Sequence, residues 1–172
     1  MNLPVLLQKK FVDGSQCKKC GGQCCKSAPG CYIPSDIGNT ESDIKIKLLF
    51  GLRSGFYAVD SWDGKLNKED NDEYGSIYFI RPRVKGNNKI YDASWGGECA
   101  NLTENGCSLS FNNRPYECKL LIPKYENNEA KCHYPKWFSK KHENGKHFSA
   151  TQWKPYQAII NECLSELGFD SR

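Results

Sequence analysis

The chain has 172 residues, 24 Lys and Arg against 20 Asp and Glu for a net charge of +4, and ten cysteines. This length accommodates one domain, residues 1–172, with a core of its own, so bound metal would add to folding rather than replace a core. The mild, scattered positive charge gives no basic run of the kind that nucleic-acid binding needs, and no stretch approaches the ~18 apolar residues of a membrane-spanning helix.

Ten cysteines fit either a secreted disulfide framework or a reduced, metal-binding intracellular protein. The first residues point to the second. Met1 to Leu7 is a short apolar run broken by Pro4, with no basic residue before it and Lys9-Lys10 after it in place of a small-residue cleavage site. The expected compartment is therefore the cytoplasm, with no membrane and no nucleic acid among the partners. Asn101-Leu102-Thr103 matches a glycosylation sequon, a tripeptide common by chance.

In chain order, residues 1–16 form a lead-in whose Leu3, Val5, Leu6, Leu7, Phe11 and Val12 can cover a core edge. Then comes Cys17-x2-Cys20-x3-Cys24-Cys25, four thiols in nine residues, with Cys31 beyond it. The opening C-x2-C is the knuckle that brings two thiolates to one soft metal ion. Gly21 and Gly22 stand where its turn needs positive φ, and Lys18 and Lys19 favour thiolate over thiol. Neighbouring side chains diverge on both strands and helices, so Cys24 and Cys25 are expected to serve a single tetrahedral ion poorly. Two centres, one polynuclear centre, or one ligand plus a reactive thiol would follow.

Pro34 biases the preceding chain to an extended form, after which Ser35 or Thr40 can cap a helix. Thr40-x-x-Asp43 resembles a capping box; Ile44, Leu48 and Phe50 or Leu49 supply an apolar face, and Gly51 is the expected stop. This helix is expected to pack over the cysteine loop. Phe56–Val59, Tyr74–Ile80 and Lys89–Ala93 read as short strands of a small antiparallel sheet, with a solvated acidic loop over 67–72. Cys99, Cys107 and Cys118 make the second cysteine region. Pro115 suits a first helical position, which places Cys118 in the first turn, where free N–H groups and the helix dipole favour thiolate. Pro123 should end that helix early, before Cys132-His133. Trp153, Tyr156, Ile160, Cys163, Leu164 and Leu167 form the stripe of an amphipathic helix over about 151–167, ended by Gly168. Its Cys163 reads as a small core hydrophobe. The class is α+β: a short antiparallel sheet, a few helices and a Cys-rich metal-binding loop region.

With these residues in place, the chain resembles the YkgJ-type cysteine-cluster family, described as zinc- or iron-chelating. Four pieces carry the resemblance in order: Cys17-x2-Cys20-x3-Cys24-Cys25; Ile33-Pro34-Ser35-Asp36-Ile37; Cys99-x-x-Leu102 with Gly106-Cys107; and Arg114-Pro115-x-x-Cys118 followed by Pro123. They span most of a motif core at 17–135. Lys131-Cys132-His133-Tyr134-Pro135 stands where relatives carry Cys-Pro-Gly, and Cys163 is the competing match for that last cysteine. Leu109-Ser110-Phe111 and Lys119 also depart from the family pattern. The resemblance implies metal binding without a settled reaction; some larger relatives look like flagellin lysine methylating enzymes.

The expected ligands are Cys17, Cys20, Cys24, Cys25, Cys99, Cys107, Cys118 and Cys132, enough for two four-thiolate sites or a cluster and one zinc. Soft thiolates select zinc, copper(I) or iron–sulfur over magnesium or calcium. An iron–sulfur centre serving redox or methyl-transfer chemistry, in an enzyme or accessory subunit, is preferred slightly over Zn2+. Four Trp, nine Tyr and eight Phe should build most of the core unaided, which weighs against eight purely structural thiols. The alternative is a zinc-stabilised interaction or metal-handling module without catalysis, with a protein partner. A thiol oxidoreductase using Cys17 and Cys20 lacks the strand and helix context of its class. Arg114 is a candidate to hydrogen-bond a ligand thiolate or cluster sulfide. His133 is a lesser ligand candidate, and His142 and His147 read as solvated. Cys31 and Cys163 are the cysteines expected to be dispensable for metal.

Overall fold

The computed structural model describes residues 18–19, 21–27, 29–64, 76–93, 97–126, 129–136, 138–139 and 147–169. The lead-in, Cys17, Cys20, the acidic loop, Trp95, Trp137 and His142 lie outside them. Among the described residues the order is α1 (Gln23–Ser27), α2 (Pro34–Ile37), α3 (Glu41–Arg53), β1 (Tyr57–Trp62), β2 (Ile77–Pro82), β3 (Leu102–Thr103) and β4 (Gly106–Cys107). A 3-10 turn at Phe111–Asn113 follows, then α4 (Tyr116–Leu120), β5 (Ile122–Glu126), β6 (Glu129–His133), α5 (Phe148–Trp153) and α6 (Gln157–Glu166). The class is α+β. No helix among the described residues is long and apolar enough to cross a membrane.

β1 and β2 pair antiparallel, from Tyr57 opposite Pro82 to Trp62 opposite Ile77. α5 and α6 pack against β2, and α3 packs against β1 and α6. Between them lies the main core, where Leu48, Leu52, Val59, Phe79, Ile80, Trp153, Ile160 and Cys163 are all but inaccessible. Each large apolar side chain so buried contributes about 1.5–3 kcal/mol before entropy is counted. The Trp153 indole N–H donates to Tyr32 O at 2.8 Å, so the aromatic anchor of the core also holds the chain just after Cys31.

The third strand expected at 89–93 is absent. Val59 exchanges two bonds with this stretch, to Ile90 O and from Asp92 N, each 2.8 Å, but the contact stops at a single bridge to Tyr91. Arg81 diverts the chain: its Nη2 donates to Asp92 O at 2.8 Å and to Asp92 Oδ2 at 2.7 Å, while its Nε reaches Asp60 Oδ2 at 2.7 Å. All three side chains are buried. The Asp92 carbonyl is thus drawn to the guanidinium rather than to a ladder. Two small hairpins not anticipated from the sequence, β3–β4 and β5–β6, complete the strands. Pro123 lies in β5, beyond the end of α4, and a two-stranded ribbon can accept it because every strand in it is an edge.

α3 begins where expected, with Thr40 Oγ1 accepting from Asp43 N at 3.2 Å, although Asp43 returns its carboxylate to Asn39 N and Lys47 rather than to Thr40. It does not stop at Gly51. A Cβ there would run into the Tyr57 ring, so this glycine is present for close packing of helix on strand, and the helix continues to Arg53. Its buried face is Ile44, Leu48, Gly51 and Leu52, while Phe50 is 65% exposed. Its principal neighbours are α2, β1 and α6 rather than the cysteine loop. The C-terminal stripe is interrupted too: α5 and α6 are separated by a 3-10 turn at Lys154–Tyr156. Pro155 lacks the N–H an unbroken helix would need. Gly168 ends the chain of helices with φ +82°.

Candidate metal centre

The two cysteine regions meet. Gly21 and Gly22 turn with φ of 62° and 69°, as their positions suggested, and α1 starts immediately after them. This presents Cys24 half-buried and Cys25 buried. A side chain at Gly22 would strike Leu102, so the missing Cβ lets the first region seat on β3. Cys25 O accepts from Cys99 N at 2.6 Å. Cys25, Cys99 and Leu102 form a small apolar cluster apart from the main core, with Cys24 packed beside it. Cys99 is in turn bridged antiparallel to Val84, and Tyr32 to Ile80, so β2 and the residues after it position both regions.

The third stretch is held by two buried carboxylates. Asp36 Oδ2 accepts from Ile33 N at 3.1 Å and Tyr116 N at 2.7 Å, and its Oδ1 meets Lys119 Nζ at 2.6 Å, clamping α2 to α4. Glu117 Oε2 accepts from Cys31 N at 2.8 Å and its Oε1 from Ser149 Oγ at 2.7 Å, while Glu117 N donates to Cys31 O at 3.3 Å. These bonds bring Cys118 beside Gly30, whose carbonyl oxygen is 3.9 Å from the Cys118 sulfur. Arg114 is buried and donates from Nε to Leu109 O at 3.2 Å, bracing the loop between Cys107 and Cys118. On the last stretch, β6 packs against α1 and the Cys132 thiol hydrogen-bonds to that of Cys24.

The thiols polarise one another. Hydrogen bonds from Cys132 and then Cys25 pull the Cys24 thiol down to about 3 from its ordinary 9.0. A hydrogen bond from Cys25 brings Cys99 down to about 7. Cys25, the partner of both, is pushed up. Burial raises Cys118, and the nearby thiols of Cys24, Cys99 and Cys107 raise it further. That differs from the expectation of a thiolate favoured by the helix start: burial and the neighbouring thiols together outweigh one short helix terminus. Several thiolates so close cannot all ionise without a counter-charge, which a bound cation would supply.

The Cys24 and Cys25 sulfurs are 3.9 Å apart. Two sulfurs bound at ~2.3 Å to one tetrahedral ion would stand about 3.8 Å apart, a separation close to that of the doublet. The sequence predicts that the doublet serves one tetrahedral ion poorly, yet rotation about each Cα–Cβ bond brings together sulfurs whose Cβ atoms diverge. Among the described residues no three His, Cys, Asp or Glu side chains gather closely enough to hold a metal ion. Cys17 and Cys20, half of the first region, lie outside those residues. Of the proposed ligands, Cys24, Cys25, Cys99, Cys118 and Cys132 are thus brought into mutual contact or electrostatic reach, and Cys107 acts on Cys118.

Cys163 stands elsewhere, fully buried in the main core with its sulfur 3.7 Å from Lys45 O. Cys31 is buried at the edge of that core, its thiol bonded to Glu117. His133 is exposed. His147 is not solvated as expected: it is buried against Phe79, ring centroids 4.3 Å apart, and its Nδ1 caps α5 by accepting from Ala150 N at 3.2 Å. The residues that the sequence reading passed over are Glu117 and Ser149. Glu117 occupies a variable position of Arg114-Pro115-x-x-Cys118, and its only signal was an acid in the first turn of a helix. No family model, no curated protein and no solved structure matches the chain.

Proposed function

We propose that the chain is a thiolate metal-binding protein, holding an iron–sulfur cluster, zinc, or both, with ligands from Cys17, Cys20, Cys24, Cys25, Cys99, Cys107, Cys118 and Cys132. The observation that carries this reading is the convergence of separate cysteine stretches on one place, their described thiols free of disulfides. The resemblance to the YkgJ-type family supports the same conclusion. An iron–sulfur centre would supply electron transfer or radical chemistry, and zinc a rigid, redox-inert brace. The protein's own contribution is orientation: Asp36 and Glu117 fix α4, Arg114 braces the loop before it, and the Cys25–Cys99 backbone bond fixes the first region on the second.

Anaerobic purification followed by metal and acid-labile sulfide analysis tests the proposal. Stoichiometric iron with sulfide, or zinc without it, is expected. Cys118→Ser should lose most of that metal, because a hydroxyl is a far poorer ligand for a soft ion. A folded, reduced protein with ten titratable thiols and neither iron nor zinc would refute it.

A further inference from the structure

We propose that Cys24 and Cys132 form a peroxide-oxidisable thiol pair, a modification site whose disulfide dismantles the metal centre. Their thiols are in hydrogen-bond contact between α1 and β6, two elements packed on each other. Both side chains are half-buried and open to a small oxidant, whereas Cys25 is 9% and Cys99 4% exposed. The competing bridge, Cys24 to Cys25, joins neighbours on a helix, whose diverging Cβ atoms cannot reach the ~3.8 Å separation and near-perpendicular torsion of an unstrained disulfide. Of the two described thiols that bond to Cys24, exposure and geometry therefore favour Cys132.

The oxidant is a hydroperoxide. The Cys24 sulfur attacks its distal oxygen, the O–O bond breaks, and the leaving oxygen departs with a proton as water or alcohol, leaving a sulfenic acid on Cys24. The Cys132 sulfur then attacks the Cys24 sulfur, the S–O bond breaks and a water leaves. Two thiols lose two electrons in all, and the peroxide gains them. A disulfide cannot serve as two thiolate ligands, so the centre loses two donors at once and the metal is released. The coupling to metal rests on the function proposed above; the thiol pairing itself does not.

The test treats the reduced full-length chain, as purified and after metal removal, with a small excess of hydrogen peroxide. Thiol titration, non-reducing peptide mapping and a chromogenic chelator are read together. The expected result is the loss of two titratable thiols, a single Cys24–Cys132 bridge in both samples, metal release in step with it, and recovery of both on adding dithiothreitol. In Cys132→Ser, Cys24 should stop at a sulfenic acid that dimedone traps. A Cys24–Cys25 or Cys25–Cys99 bridge, or conversion of Cys24 to sulfinic acid with no bridge in the wild type, would overturn the proposal. If the purified chain carries no metal, the functional reading fails, and mapping of the metal-free sample still decides the pairing.

Discussion

Glu117 shows how much of this molecule hangs on single polar side chains in apolar places. It is 6% exposed, and burial raises its carboxyl above the ordinary value. Its two carboxyl oxygens accept from Cys31 N and Ser149 Oγ. Glu117→Ala would strand both donors, at about 1–3 kcal/mol each. Glu117→Gln should cost far less, since the Ser149 hydroxyl can reverse and accept from the new amide while the remaining oxygen keeps Cys31 N. Chemical denaturation of the two variants should separate them by at least about 1 kcal/mol; equal losses would count against the bonding described. Cys163 gives the opposite case, a thiol with a packing role. Cys163→Ala should lose about 1 kcal/mol, the scale of one small group removed from a core, and leave metal content unchanged by elemental analysis.

At the level of elements, local propensity and packing disagree at two places, and packing prevails. Gly51 lies within α3, where Ala would ordinarily favour the helix by about 1 kcal/mol. Here the Cβ would meet the Tyr57 ring, so Gly51→Ala should instead destabilise, by about 1–3 kcal/mol as for other overpacked sites. A thermal or denaturant midpoint that rises in this variant would show the helix–strand contact to be looser than described. The joint between α5 and α6 is the second place. Pro155 breaks the helix but the apolar stripe resumes on both sides, with Trp153 held by Tyr32 O and Gln157 bonding Tyr78 N and O at 2.8 Å each. Each half is thereby fastened to the strand layer, and Gln157 Nε2 also donates to Trp153 O at 3.0 Å across the joint.

At the scale of the whole molecule, the described residues form two unequal centres of cohesion, a large core around β1, β2, α3, α5 and α6, and a small thiol-lined cluster around Cys25, Cys99 and Leu102. Metal bound by the thiols would stabilise mainly the second. Chelation of the metal-loaded protein should therefore leave most far-ultraviolet circular dichroism in place. Hydrogen exchange should instead accelerate selectively in α1 and around Cys99, whose amide bonds to Cys25 O. Global unfolding on chelation would contradict this division. Acidification should release metal in the same local manner, because protons compete with the ion for thiolates.

What the sequence by itself determined was chemical and local. The spacing of the cysteines, the two-glycine turn before Cys24, the cap at Thr40 and the burial of Cys163 could all be read from residue type and periodicity, because each depends on a few neighbours along the chain. Only the tertiary structure decided that Gly51 sits inside a helix, that residues 89–93 leave the sheet for Arg81, and that Phe50 faces outward. It likewise decided that His147 is a buried cap, that Glu117 lies beneath the cysteines, and that the Cys24 thiol meets Cys132 rather than diverging alone. Most of these outcomes depend on a partner elsewhere in the chain: Tyr57 for Gly51, Arg81 for Asp92, Phe79 for His147, Ser149 for Glu117 and Cys132 for Cys24. Periodicity says which face of an element is apolar; it does not say which distant group will come to rest against it.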